Sequence, residues 1–136
     1  MPRFVILLHE MPGDTARPTH WDLMLEDDAI LLTWALEAFP EPGLVSRAQS
    51  LPDHRPAYLT YQGPVSHNRG SVTRWEQGEF RWLQRSSQTL RIQVSGQRLD
   101  GEICLTRDNP LADDWQIVYL SCLPTGLAPV EGRFGN

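Results

Sequence analysis

No apolar run in this chain extends past about eight residues before a glycine, a proline or a charged turn interrupts it. Eleven prolines and ten glycines do the cutting, and proline inside a helix removes a hydrogen bond and clashes with the preceding turn. Long helices are therefore excluded, and several of the short runs alternate with the two-residue period of a strand. The run H-W-D-L-M-L-E at 20–26 places His20, Asp22, Met24 and Glu26 on one face and Trp21, Leu23 and Leu25 on the other. Residues 89–94 alternate as cleanly. Further strands are expected over 4–8, 29–36, 57–61, 71–75, 79–83, 99–106 and 115–120. A polar turn at Asp27 and Asp28 makes 20–26 and 29–36 a hairpin, and Glu76, Gln77 and Gly78 are expected to turn 71–75 into 79–83. Residues 44–51 fit either a short helical stretch or an irregular strand, and 52–56 read as loop. About seven or eight short strands without a long helix predict an all-β, mainly antiparallel domain, a barrel or a sandwich.

The strand at 20–26 has a dry face and a chemical face. His20 and Asp22 stand side by side on it, and His9, at the end of the preceding apolar run, can supply a third group. Two imidazoles and a carboxylate with open positions form a ligand set suited to Mn, Fe or Zn catalysis. The same H-x-D spacing also occurs as a hydrogen-bonded couple with no metal. The segment between the two histidines, with Pro12, Gly13 and Pro18, is a plausible turn returning the chain beside the first strand.

Length predicts one domain with a substantial core, over residues 1–122, followed by a tail at 123–136 poor in apolar residues. No segment has the length of a membrane span or a signal peptide, so a cytoplasmic monomer is expected. Cys104 and Cys122 lie in apolar runs and are expected to be buried free thiols. All twelve basic residues are arginine, and the net charge of −5 argues against coating of duplex phosphates. Six arginines nevertheless fall within 61–98 against only Glu76 and Glu79. Such a stretch either grips a phosphate end or is simply a basic solvent face. Trp21, Trp34 and Trp115 are assigned to the core and His67 to solvent.

Taken in order, these motifs resemble the 3′-phosphoesterase domain of bacterial DNA ligase D, over roughly residues 3–120. That family has an apolar strand ending in His, here F-V-I-L-L-H to His9, then H-x-D-L-R-L-E, here residues 20–26. A strand with S-W-A follows, here Thr33, Trp34 and Ala35, and then D-H-P-x-x-Y-x-x-x-x-G, matched by Asp53, His54, Tyr58 and Gly63. G-x-V-x-x-W runs from Gly70 to Trp75, and the closing glycine, leucine and tryptophan positions fall at Gly96, Leu99, Gly101, Leu105 and Trp115. The resemblance implies a small closed or partly open β-barrel of about 7–8 strands with short flanking helices. It implies manganese-dependent removal of a 3′-terminal phosphate or ribonucleotide from DNA or RNA-tailed DNA ends in end-joining repair, alongside end-joining proteins. Position by position, it makes His9, His20 and Asp22 metal ligands, His54 the phosphate-contacting histidine, and Tyr58 its tyrosine partner. Arg47 falls within a residue or so of the family's arginine ahead of that histidine.

Three departures accompany the match. Met24 stands where the family has arginine, the segment between His9 and His20 is longer, and the family's arm ahead of the first strand has no counterpart before Met1. The implied protein is a divergent stand-alone relative. Hydrolysis of 3′ ends is the leading reading. Met24 favours a second, a module that binds the end or its phosphate with little or no turnover. The acidic net charge would suit a third, a phosphatase for small molecules.

Overall fold

The computed structural model describes residues 1–13, 18–65 and 69–122. His67 and the tail at 123–136 lie outside them. Among the described residues nine strands follow one another: β1 (Arg3–Glu10), β2 (His20–Asp27), β3 (Ile30–Leu36), β4 (Val45–His54), β5 (Gly63–Pro64), β6 (Ser71–Arg85), β7 (Thr89–Gly96), β8 (Asp100–Thr106) and β9 (Asp114–Ser121). Their order in the sheet is β1-β2-β3-β4-β9-β8-β7-β6-β5, and β1 also pairs with β6. Eight strands thus close into an antiparallel barrel with no open edge, and β5 is a short addition on β6.

Alternation fills the lumen. Phe4 and Ile6, Leu23 and Leu25, Trp34 and Leu36, Phe80, Ile92, Val94, Ile103, Leu105 and Ile117 form one buried cluster drawn from all around the barrel. Each fully buried side chain of this size contributes about 1.5–3 kcal/mol. The intervening residues of β1 and β2 are buried too, because something covers the outer wall there. Val5, Leu7, Met24, Leu31 and Val72 form a second cluster closed over by Leu59.

Leu59 belongs to a 3₁₀ turn, Pro56–Leu59, the one helical element among the described residues. The sequence pattern predicted a strand over 57–61. Proline at the first helical position has no N–H to leave unpaired, and Tyr58 N and Thr60 N donate to Arg55 O and Ala57 O three residues back. Of residues 44–51, all but Leu44 resolve as part of β4, which continues through Pro52 to His54. Its pairing with β3 breaks register between Leu31 and Thr33, where Pro52 supplies no donor.

A larger correction concerns 71–85, one continuous strand with no hairpin at Glu76–Gly78. Its first part pairs with β1 and its second with β7, which is how the barrel closes. Gly78 is needed for proximity: a Cβ there would lie 2.1 Å from Ser95 O. Glu76 is 1% exposed, and its carboxylate accepts the N–H groups of Gln77, Gln97, Arg98 and Leu99 at 2.6–2.8 Å. It thereby pins the β7–β8 turn from inside.

The thiols differ from expectation as well. Cys104 is only half-buried and Cys122 is exposed, since Ile103 and Leu105 take the lumen side of β8. Trp34 and Trp115 are buried, while Trp21 packs against the core only partly covered.

Candidate metal centre and its cleft

The outer wall of β1 and β2 carries the chemistry, and register assembles it. His9 pairs with His20 and Leu7 with Asp22, so both histidines and the carboxylate share one face. Their candidate ligand atoms all lie within 4.8 Å of one another. His9 Nδ1 is 3.0 Å from Asp22 Oδ2, and His20 Nε2 is 3.0 Å from Asp22 Oδ1. The second pair is close without the alignment of a hydrogen bond, and neither of its atoms has another hydrogen-bond partner among the described residues. Asp22 is 2% exposed and His20 5%.

The far nitrogen of each imidazole meets a main-chain carbonyl. His20 Nδ1 is 2.9 Å from Pro18 O, and His9 Nε2 is 2.6 Å from Arg69 O. A carbonyl only accepts, so each contact puts a ring proton on the far nitrogen, and the near nitrogen, turned toward Asp22, is the one that would ligate a cation. This is the outer-shell pattern that orients histidine ligands around a cation. Burial pushes the Asp22 carboxyl up, but the two imidazoles beside it outweigh that and hold it at about 2. The donor set is two imidazole nitrogens and a carboxylate, a combination that fits Mn²⁺ or a similar divalent ion.

Gly70 makes the Arg69 contact possible. Its φ is +83°, and a Cβ there would sit 1.9 Å from Glu10 O. Only glycine lets this segment approach the end of β1 so closely.

A cleft of about 450 Å³ opens over the three residues. His54 and Tyr58 line it with them, at 5.4 Å between ring centroids and edge to face. His54 Nδ1 is 2.9 Å from Pro52 O, which leaves Nε2 for other partners. Arg47 lines a separate pocket next to His20, together with Glu37, Gln49 and Asp114. Its Nε is 3.8 Å from Glu37 Oε2, and both side chains are exposed. Arg69 was not singled out from the sequence for this site, yet it is the only arginine lining the cleft among the described residues. Its place within the basic stretch at 61–98 was the available signal. The other arginines there are spread over the barrel: Arg91 pairs with Glu102, Arg85 with Asp27, and Arg98 lies over Trp75. Met24, 1% exposed, forms part of the cleft's apolar floor.

A closed antiparallel barrel with a histidine–histidine–aspartate cluster in a cleft on its outer wall defines the class. The chain belongs to the family of the DNA ligase D 3′-phosphoesterase domain, whose sequence model matches residues 13–107, well over half the chain. The matched span holds His20, Asp22, His54 and Tyr58 and begins after His9. No curated protein matches the chain.

Proposed function

We propose that this protein is a divalent-metal-dependent phosphoesterase acting at the 3′ ends of nucleic acids in end joining, removing a terminal phosphate or ribonucleotide. The observation that carries the reading is the convergence of His9, His20 and Asp22 in the wall of a cleft shared with His54 and Tyr58. The family supports a 3′-phosphoesterase-type activity on its own. His9, His20 and Asp22 are the proposed ligands and Mn²⁺ the proposed ion. Bound there, the ion supplies neutralisation of the non-bridging phosphate oxygens and activation of water.

The chain's own groups do the rest. Pro18 O and Arg69 O hold the imidazoles in the ligating tautomer, and the Asp22 carboxylate stays ionised throughout the neutral range. His54 is placed to donate to the phosphate or to protonate the departing oxygen, and the Tyr58 hydroxyl to hold a phosphate oxygen. Arg69 adds a guanidinium to the cleft, which suits a dianionic terminal phosphate. Arg47, on the far side of His20, is proposed to meet the strand leading to the end. We place the protein in the cytoplasm with its nucleic-acid substrate. Among the described residues, no helix is long and apolar enough to cross a membrane.

The apolar floor at Met24 favours a second reading, a module that holds the end with little turnover. One assay separates the two. A 3′-phosphorylated oligonucleotide is incubated with the protein and Mn²⁺, with a chelated control and a His20→Ala variant. Phosphate release confined to the metal-loaded wild type supports the phosphoesterase. Tight binding of an intact oligonucleotide under all conditions replaces it with the binding module.

A further inference from the structure

Beside the cleft lies a second, smaller cavity of about 260 Å³, lined by Arg55, Ala57, Tyr58, Tyr61, Pro64 and Val65. It shares Tyr58 and Val65 with the cleft, so the two are neighbours across one tyrosine. Aromatic rings run from one into the other. His54 and Tyr58 stand 5.4 Å apart at 74°, and Tyr58 and Tyr61 5.9 Å apart at 87°. The two tyrosines therefore form perpendicular walls of a corner. Tyr61 is 39% exposed and belongs to neither buried cluster. Core packing does not account for it.

The ring is nonetheless held. The Tyr61 hydroxyl donates to Pro64 O, and Gly63, at φ +132°, leaves it room, since a Cβ there would stand 3.2 Å from the Tyr61 hydroxyl oxygen. A large aromatic surface kept at the rim of a cavity, with a guanidinium alongside and no acidic residue in the lining among the described residues, fits a flat π-system attached to phosphate. Every nucleobase has that face, and stacking on tyrosine with help from arginine is the usual way proteins hold an unpaired base.

Building on the 3′-phosphoesterase reading, we propose that the Tyr58–Tyr61 corner with Arg55 is a nucleobase-stacking subsite that seats an unpaired nucleotide at the end being processed. A base inside a duplex is already stacked on its neighbours and cannot enter the corner. The protein thus discriminates frayed or overhanging 3′ ends from blunt paired ones, and nucleotides from small phosphorylated molecules without a base.

The test uses the full chain and two fluorescent oligonucleotides, each with a single-stranded 3′-phosphorylated end. One carries a terminal base and the other an abasic terminal sugar. Binding is read by anisotropy in chelator, so that nothing is hydrolysed, and turnover is read separately with Mn²⁺. The wild type is expected to bind the base-bearing end about tenfold more tightly than the abasic one. In Tyr61→Ala that ratio falls to about one, while Tyr61→Phe keeps it. Should Tyr61→Ala not fold, Arg55→Ala is expected to reduce the same ratio. A wild-type ratio of one, or a ratio unchanged in Tyr61→Ala, overturns the subsite. Turnover of the abasic end by wild type would leave the phosphoesterase reading standing in that event, and absence of turnover on both ends would remove that reading while the binding ratio still decides the subsite.

Discussion

Glu76 offers the sharpest quantitative check on the fold that carries the site. Its carboxylate receives four main-chain N–H groups, two on each oxygen: Gln77 and Gln97 on Oε1, Arg98 and Leu99 on Oε2. Replacement by glutamine keeps one oxygen and turns an amide N–H₂ toward two of the donors. Two charge-assisted bonds are lost, at about 1.5–3 kcal/mol each, and two buried N–H groups lose their acceptor. The expected loss is about 3–6 kcal/mol, a large part of the roughly 5–15 kcal/mol that holds a domain together. With a urea slope of about 2 kcal/mol per molar, the unfolding midpoint, followed by tryptophan fluorescence, should fall by about 2 M. Glu79→Gln, on the same strand and exposed, is the control, with an expected change within about 0.5 kcal/mol. If Glu76→Gln loses less than about 1 kcal/mol, the carboxylate is not what anchors the β7–β8 turn.

Three further outcomes follow from the site. Gly70→Ala must move the Arg69 carbonyl away from His9, and should weaken Mn²⁺ binding by about 10–100-fold in calorimetry; an unchanged affinity would show that this contact does not orient the ligand. Arg69→Ala leaves that main-chain contact in place, so it should raise KM for a 3′-phosphorylated end about tenfold while the Mn²⁺ affinity stays constant, and a loss confined to metal binding would contradict the role given to the guanidinium. Asp22 has a folded-state pKa of about 2, depressed from 3.8, so the stability it contributes is complete above 3.8 and lost as pH falls through about 2. Urea midpoints of wild type and Asp22→Asn, compared from about pH 5 downward, should therefore converge between about pH 4 and pH 2, whereas a constant gap would mean that the imidazoles do not hold the carboxylate ionised.

The strand alternation was legible because it is local. His20 and Asp22 had to share a face once 20–26 became a strand, since the two-residue period allows nothing else. Most of the strand count came from the same signal. Tyr58 shows where that signal misleads: A-Y-L-T-Y alternates like a strand, but Pro56 opens a 3₁₀ turn, and with no sheet partner there the pattern carries no register. Gly78 misled in another way. A glycine between two apolar runs looks like a turn, yet here it marks the point where two strands press together, a fact that resides in Ser95. Nor does the spacing of Arg47 and Arg69 along the chain tell which of them lines the cleft.

By itself, then, the order of residues determined an all-β chain, the pairing of His20 with Asp22 on one face, and the family to which the chain belongs. Only tertiary structure brought His9 opposite His20, carried the Arg69 carbonyl against that ring, closed β1 onto β6, and set Tyr61 at the rim of the neighbouring cavity. The division has a physical cause. Side-chain direction along a strand is a property of one covalent backbone, whereas register, closure and the approach of distant segments depend on hydrogen bonds and packing between pieces far apart in the chain.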